Sequence, residues 1–381
     1  KPKIVRKGDQ VEISFATEGY CDATLALENA AGRIVRHLAS GVLGATAPAP
    51  FQRNSLKQTI LWDGKDDQGH YIDDKNSLTV RVSLGLKPQF EKTFYWSPYK
   101  RITPMPPLIC ATADGVLVCE GKGVDSVKLF DHDGKYVRTV YPFPAGKLKD
   151  VQGLDWYDFP QALRLPRKQS LYQQTLLTSG NNASLYDEGG RSGCAATTLA
   201  VLGNRLALAH QKLNRITTDS TSWGPGLGGG KTSVKLEKFK IQYNYNNTVE
   251  VGPSSSAISP DGKWLYLTGY SYRYSFHFDT LHGVARIALD GGDDAKLFAG
   301  NLQKEDQHGD GPGQFRTATS VDCDAQGRVY VGDFMNDRIQ VFDASGKHLK
   351  NIAAQKPALL RIDRQSGKLY VFSWLVPSEL L

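Results

Sequence analysis

Residues 309–352 read GDGPGQFRTATSVDCDAQGRVYVGDFMNDRIQVFDASGKHLKNI, and the rest of the chain is best understood from this stretch outward. Four short runs within it, TATSVDC, GRVYVGD, DRIQVFD and KHLKNIA, put apolar or β-branched residues at every second position. That is the period of a half-buried strand. Turn formers separate the runs: Asp324 to Gly327, Asn336-Asp337 and Asp343 to Gly346. The stretch is therefore predicted to be a meander of four antiparallel strands joined by tight turns.

Weaker copies of the pattern lie on both sides of it. ICATADGVLVCEGKGVDSVKLFDHDGKYVRTVYPF starts at Ile109 and TTLAVLGNRLALAHQKLNRITTD at Thr197. SSSAISPDGKWLYLTGY with VARIALDGGDDAKLFAG forms a third, and ALLRIDRQSGKLYVFSW starts a further unit from Ala358 that the chain does not finish. First strands are predicted near residues 108, 196, 255, 317 and 358. The spacing is uneven, so insertions must fill the excess: Gly146 to Gly193, Ser220 to Lys231 and Tyr270 to His282.

The three motifs of the Gly309 to Ile352 unit, G-x-G-x-G-Q-F, VDCDAQGRVYVGD and N-x-R-I-Q-V-F-D-x-x-G, together resemble an NHL-type β-propeller blade. The resemblance implies a ring of blades, six or more when complete, and says little of chemistry. Four blades and half of another fit into the residues available at roughly 40 per blade. The expectation is a propeller, residues 108–381, that stops inside a blade at Leu381 and is completed by a continuation or by a second chain.

Residues 8–97 have a different texture. QVEISFAT, ATLALENA and LTVRVSLG alternate, and turn clusters lie between them, as in an immunoglobulin-like β-sandwich. The order V-x-I-S-F, NAAGRIVRHL, LWDGKDDQG and LTVRV resembles the Ig-like domain of flagellar hook-capping proteins, a module attached to many secreted bacterial proteins. Trp62 is expected to close one end of this sandwich, and the aspartates after it to satisfy turn amides. Residues 98–107 hold four prolines and form a stiff linker. The predicted architecture is thus all-β: an Ig-like sandwich over residues 1–97, a linker, and a propeller.

Composition removes several classes of function. The 381 residues contain no apolar run near the ~20 that a membrane-spanning helix needs, and the 40% hydrophobic content is too high for a disordered chain. The formal charge is +7, and it comes mainly from residues 98–253, with 19 basic and 13 acidic groups. No block of five like charges occurs, so a nucleic-acid partner is not expected. The five cysteines form no CxxC or CxxCH motif, which excludes a zinc ribbon and haem attachment; buried free thiols are expected, with a Cys110–Cys119 disulfide as the alternative. GPGLGGGKTS at 224–233 is not a phosphate loop, because Pro225 stands where glycine is required and a strand-like run follows, so no nucleotide is expected. The chain begins at Lys1, which fits a processed, secreted or periplasmic product.

The insertions carry the candidate ligand groups. Trp156, Tyr157, Arg164 and Arg167, with Arg316, interleave rings and cations as a groove for an anionic glycan would require. Tyr270, Tyr272, Arg273 and His277 hold the inventory of a uronate lyase: a cation for the carboxylate and a Tyr or His to take the C5 proton. The NHL-type class also includes a zinc-dependent lyase whose histidines come from different blades. In that light His210, His277 and His308 are the candidates here, with calcium at Asp306 or Asp310 as the other metal option. Recognition of an extracellular glycan or protein ligand is the leading expectation; a lyase and a scaffold in a larger assembly are the alternatives.

Overall fold

The computed structural model describes residues 1–85, 107–120, 126–166, 196–237, 248–270, 281–303 and 307–373, apart from positions 9, 33, 68 and 155. The chain is nearly all β and divides into two compact units. No helix among the described residues is long and apolar enough to cross a membrane.

The first unit contains β1 (Lys3–Lys7), β2 (Gln10–Ala16), β3 (Asp22–Glu28), β4 (Ile34–Val42), β5 (Lys57–Trp62) and β6 (Thr79–Leu84). They form two antiparallel sheets, in the orders β1-β2-β5 and β4-β3-β6. Alternation sends Ile13 and Phe15 of β2, Leu25 and Leu27 of β3, and Ile60 of β5 into one core. Trp62 is buried there and its indole N–H donates to the Lys65 carbonyl at 2.7 Å. The aspartates that follow are occupied by the turn: Asp66 accepts the His70 amide at 2.8 Å, and Asp67 accepts the His37 amide at 2.9 Å.

The second unit is a series of small antiparallel sheets. Its strands are β7 (Leu108–Thr112), β8 (Gly115–Glu120), β9 (Ser126–Phe130), β10 (Tyr136–Tyr141), β11 (Trp156–Phe159), β12 (Leu163–Pro166), β13 (Thr198–Leu202), β14 (Arg205–Ala209), β15 (Leu213–Thr217), β16 (Val234–Glu237) and β17 (Thr248–Val251). There follow β18 (Ser255–Ile258), β19 (Trp264–Thr268), β20 (His282–Ala288), β21 (Lys296–Asn301), β22 (Ala318–Cys323), β23 (Val329–Asp333), β24 (Arg338–Phe342), β25 (His348–Ala353), β26 (Pro357–Ile362) and β27 (Leu369–Ser373). Strands β7–β10, β13–β15, β18–β21, β22–β25 and β26–β27 each form a sheet in sequence order; β11–β12 and β16–β17 are extra hairpins.

The first strand of each sheet packs on the first strand of the next, through β7, β13, β18, β22 and β26. Hydroxyl groups tie these inner strands together. Ser255 Oγ of β18 accepts the Val321 amide of β22 at 3.1 Å, and Ser320 Oγ of β22 accepts the Leu360 amide of β26 at 3.0 Å. The Cys110 thiol in β7, pushed above its ordinary value by burial, lies within electrostatic reach of Arg361 in β26 and Asp322 in β22. Sequential meanders arranged this way make a β-propeller. In the β7–β8 register Cys119 faces Leu108 and Cys110 faces Leu117, so the hairpin does not bring the two thiols opposite each other. Both are free, as are Cys21 and Cys323.

The glycine-rich insertion has a structural explanation. Arg215 of β15 is fully buried and donates to three carbonyls: Gly229 at 3.2 Å, Ala288 at 3.3 Å and Gly291 at 2.7 Å. Burial lowers its pKa to about 10, against the pull of Asp290. The loop wraps so closely that Gly226 (φ +77°) leaves no room for a Cβ beside the Gln152 carbonyl, nor Gly230 (φ +78°) beside Asp293. The strand β16, not a helix, follows the loop.

Candidate functional site

The loop from β21 to β22 carries G-x-G-x-G-Q-F, and buried groups on β23 and β24 hold it in place. Asp333, at the end of β23, is fully buried and pairs with Arg338 Nε at 2.7 Å. It also accepts the Arg316 amide at 2.8 Å and the Gln340 amide side chain at 3.1 Å. Burial pushes its carboxyl above the ordinary value, against these donors. Arg338 in turn donates to the carbonyls of Asp310, Gly311 and Gln314 at 2.6, 3.1 and 3.0 Å. A single buried ion pair thus shapes the loop.

That loop forms one wall of a cleft of ≈ 490 Å³, and the paired ends of β20 and β21 form the other. Asn301, Gln307, Gln314, His282 and His308 supply its polar lining, and Phe315 part of its apolar lining. Asn301 and Gln307 bond to each other through their side-chain amides. His282 is buried, and its Nδ1 accepts the Thr317 amide at 3.0 Å. This places the ring proton on Nε2, so His282 is a hydrogen-bond donor and not a metal ligand through that nitrogen. The exposed His308 ring meets it edge-on, with centroids 5.5 Å apart. The lining offers donors and acceptors without a formal charge, which suits a hydroxyl-rich ligand.

The structure scatters the residues singled out from sequence. His308 lines the cleft, and Arg316 is exposed on the same loop, directly after Phe315. His210 is instead an interior residue: it is 1% exposed, its Nδ1 lies 3.3 Å from Thr197 Oγ1, and its carbonyl accepts the Thr232 hydroxyl. Tyr270 is fully buried and donates to the Thr232 carbonyl at 2.6 Å, while burial drives its hydroxyl far above the ordinary value. Such a hydroxyl cannot serve as a proton-abstracting base exposed to substrate. Trp156 and Arg164 come together on the β11–β12 hairpin, the guanidinium 5.6 Å from the ring centroid. Tyr157 sits on the same hairpin, and its side chain lies outside the described residues. Tyr272, Arg273, His277, Arg167 and Asp306 lie outside them as well, as does most of the 98–107 linker. Among the described residues no three His, Cys, Asp or Glu side chains gather as a metal site.

Sequence reasoning missed His282, Asn301, Gln307 and Gln314 as cleft residues. Gln314 belongs to the G-x-G-x-G-Q-F motif and could have been placed from it. The others sit at strand ends and on the connecting loop, where no local pattern marks a ligand group.

The strand order and the packing of first strands define the class as a β-propeller with a polar cleft at one face. No family model matches the chain, and no curated protein matches it. Solved structures similar to it include a gluconolactonase from Xanthomonas campestris, with 16% identity over 69% of this chain and 67% of that one and a TM-score of 0.33. The β-propeller domain of Cps50 (Swd1) from Myceliophteria thermophila gives 12% identity, 70% and 62% coverage and a TM-score of 0.36. An auxiliary nutrient binding protein from Bacteroides ovatus gives 11%, 96% and 92%, and 0.31. Likeness at this level fixes neither ligand nor chemistry.

Proposed function

We propose that the chain is a ligand-recognition propeller of the NHL type, carried behind an Ig-like module of the hook-capping kind in a secreted or periplasmic protein. Its ligand is an extracellular glycan that bears acid groups. The observation that carries this reading is the ≈ 490 Å³ cleft lined by amides and imidazoles, whose hydrogen-bonding groups match sugar hydroxyls. Arg316, exposed beside it, supplies the cation for a carboxylate. No reaction is assigned, because the lyase inventory loses Tyr270 to the core.

Calorimetric titration with neutral and uronate-containing oligosaccharides tests the proposal. His308→Ala and Asn301→Ala should weaken both ligand types about tenfold. Arg316→Ala should weaken only the uronate-containing ones. Unchanged binding in all three variants would exclude this cleft as the site.

A further inference from the structure

A second cleft, of ≈ 260 Å³, lies at the other end of β22 from the first, between the turn after β22 and the turn after β26. The six-residue strand separates the two by roughly 20 Å. The cleft has room for about nine waters at ~30 Å³ each. Its lining includes Asp324, Arg328, Tyr330, Arg364, Gln365 and Leu369.

The charges there are arranged unequally. Asp324 is saturated: it accepts the Gln326 and Arg328 amides at 3.0 and 2.9 Å, Arg328 Nε at 2.5 Å and the Tyr330 hydroxyl at 3.1 Å. Arg328 spends only its Nε on this carboxylate, and its side chain is 42% exposed. Arg364 is fixed by neutral acceptors, with Nε on the Cys323 carbonyl at 3.1 Å and Nη2 on the Ile258 carbonyl. It is thereby anchored to two neighbouring sheets. The acid that feels its charge is Asp322, whose carboxylate already accepts the amides of Cys323 and Ile362 at 2.7 and 2.8 Å. Asp363, next to Arg364, likewise accepts the Gln365 amide and the Ser366 hydroxyl. Within the lining, two guanidinium groups stand against one carboxylate and leave a single positive charge, while just outside it Asp322 and Asp363 are matched by Arg361 and Lys368. Gln365 and Gln326 add uncharged hydrogen-bonding groups, and Tyr330 and Leu369 add apolar surface.

We propose that this second cleft binds a small monocarboxylate on a hydroxylated ring, of which a hexuronate is the simplest. Arg328 and Arg364 take the carboxylate oxygens and the glutamines take ring hydroxyls. The site is separate from the amide-and-imidazole cleft and does not depend on what that cleft binds.

The test titrates the full chain with D-glucuronate, D-glucose, acetate and inorganic phosphate. Glucuronate should bind saturably and acetate more weakly, both through a component that Arg328→Gln weakens, and glucose should show no component that Arg328→Gln weakens. Arg328→Gln should weaken glucuronate about tenfold. Because Arg364 ties sheets together and its replacement could unfold the chain, Gln365→Ala is the second variant. It should weaken glucuronate severalfold and leave acetate unchanged. His308→Ala should leave glucuronate binding at this cleft intact. The proposal is overturned if glucuronate gives no saturable binding, if phosphate binds as tightly, if Arg328→Gln binds like the parent, or if His308→Ala abolishes the binding.

Discussion

Tyr270→Phe removes one hydroxyl and leaves the Thr232 carbonyl without that donor. The variant should lose about 1 kcal/mol in denaturant unfolding and keep ligand binding unchanged. Chemistry-bearing residue types were easy to find in the sequence, yet tyrosines and histidines also serve interiors, and only burial tells the two uses apart. His210 and Tyr270 went inward; His308 went to the cleft. The aspartates were easier, because Asp-x-x-Gly spacing itself defines a turn. Asp343 accepts the amides of Ser345 and Lys347, as that spacing requires. At Asp324, burial raises the pKa, but the hydrogen bonds and charge of Arg328 together with the Tyr330 hydroxyl prevail and hold it below the ordinary 3.8. Its stabilisation is therefore complete above that pH and is lost as pH falls through the lower folded value. Unfolding free energies of the parent and of Asp324→Asn should differ at pH 7 and converge in acid below pH 3.8.

The β15 strand and the glycine-rich loop behave as one element, because the Arg215 guanidinium is the object around which the loop folds. Arg215→Met removes three donors from buried carbonyls and should cost about 3 kcal/mol, measured by urea unfolding. The strands themselves were readable from period-two alternation. Starts expected near 108, 196, 255, 317 and 358 fall at Leu108, Thr198, Ser255, Ala318 and Pro357. The loop was not readable, since its glycines answer to a cation that is distant in sequence from the Ala288 and Gly291 carbonyls sharing it. The cleft shares part of this difficulty: His282 and Asn301 are cross-strand partners on β20 and β21, but Gln314 joins them from the β21–β22 loop, whose course is set by Arg338 on another sheet.

Separate cores mark the two units of the molecule. The first is built on Ile13, Leu25 and Trp62, and the second is divided among clusters along the inner strands. Trp62→Ala should cost about 4 kcal/mol in the transition that reports on residues 1–85, without shifting the transition of the propeller; two probes, one in each unit, would follow this by thermal unfolding. Repetition made the propeller legible, since several imperfect copies of one meander constrain one another more than any single copy does. The Arg215 clamp also has a consequence for ionic strength. Dissolved ions can screen exposed pairs such as Lys296 with Asp293, but they have no access to a guanidinium sealed among carbonyls. Added salt should thus weaken surface attractions while this buried cation keeps its grip, making the β13–β15 region one of the salt-tolerant parts of the molecule.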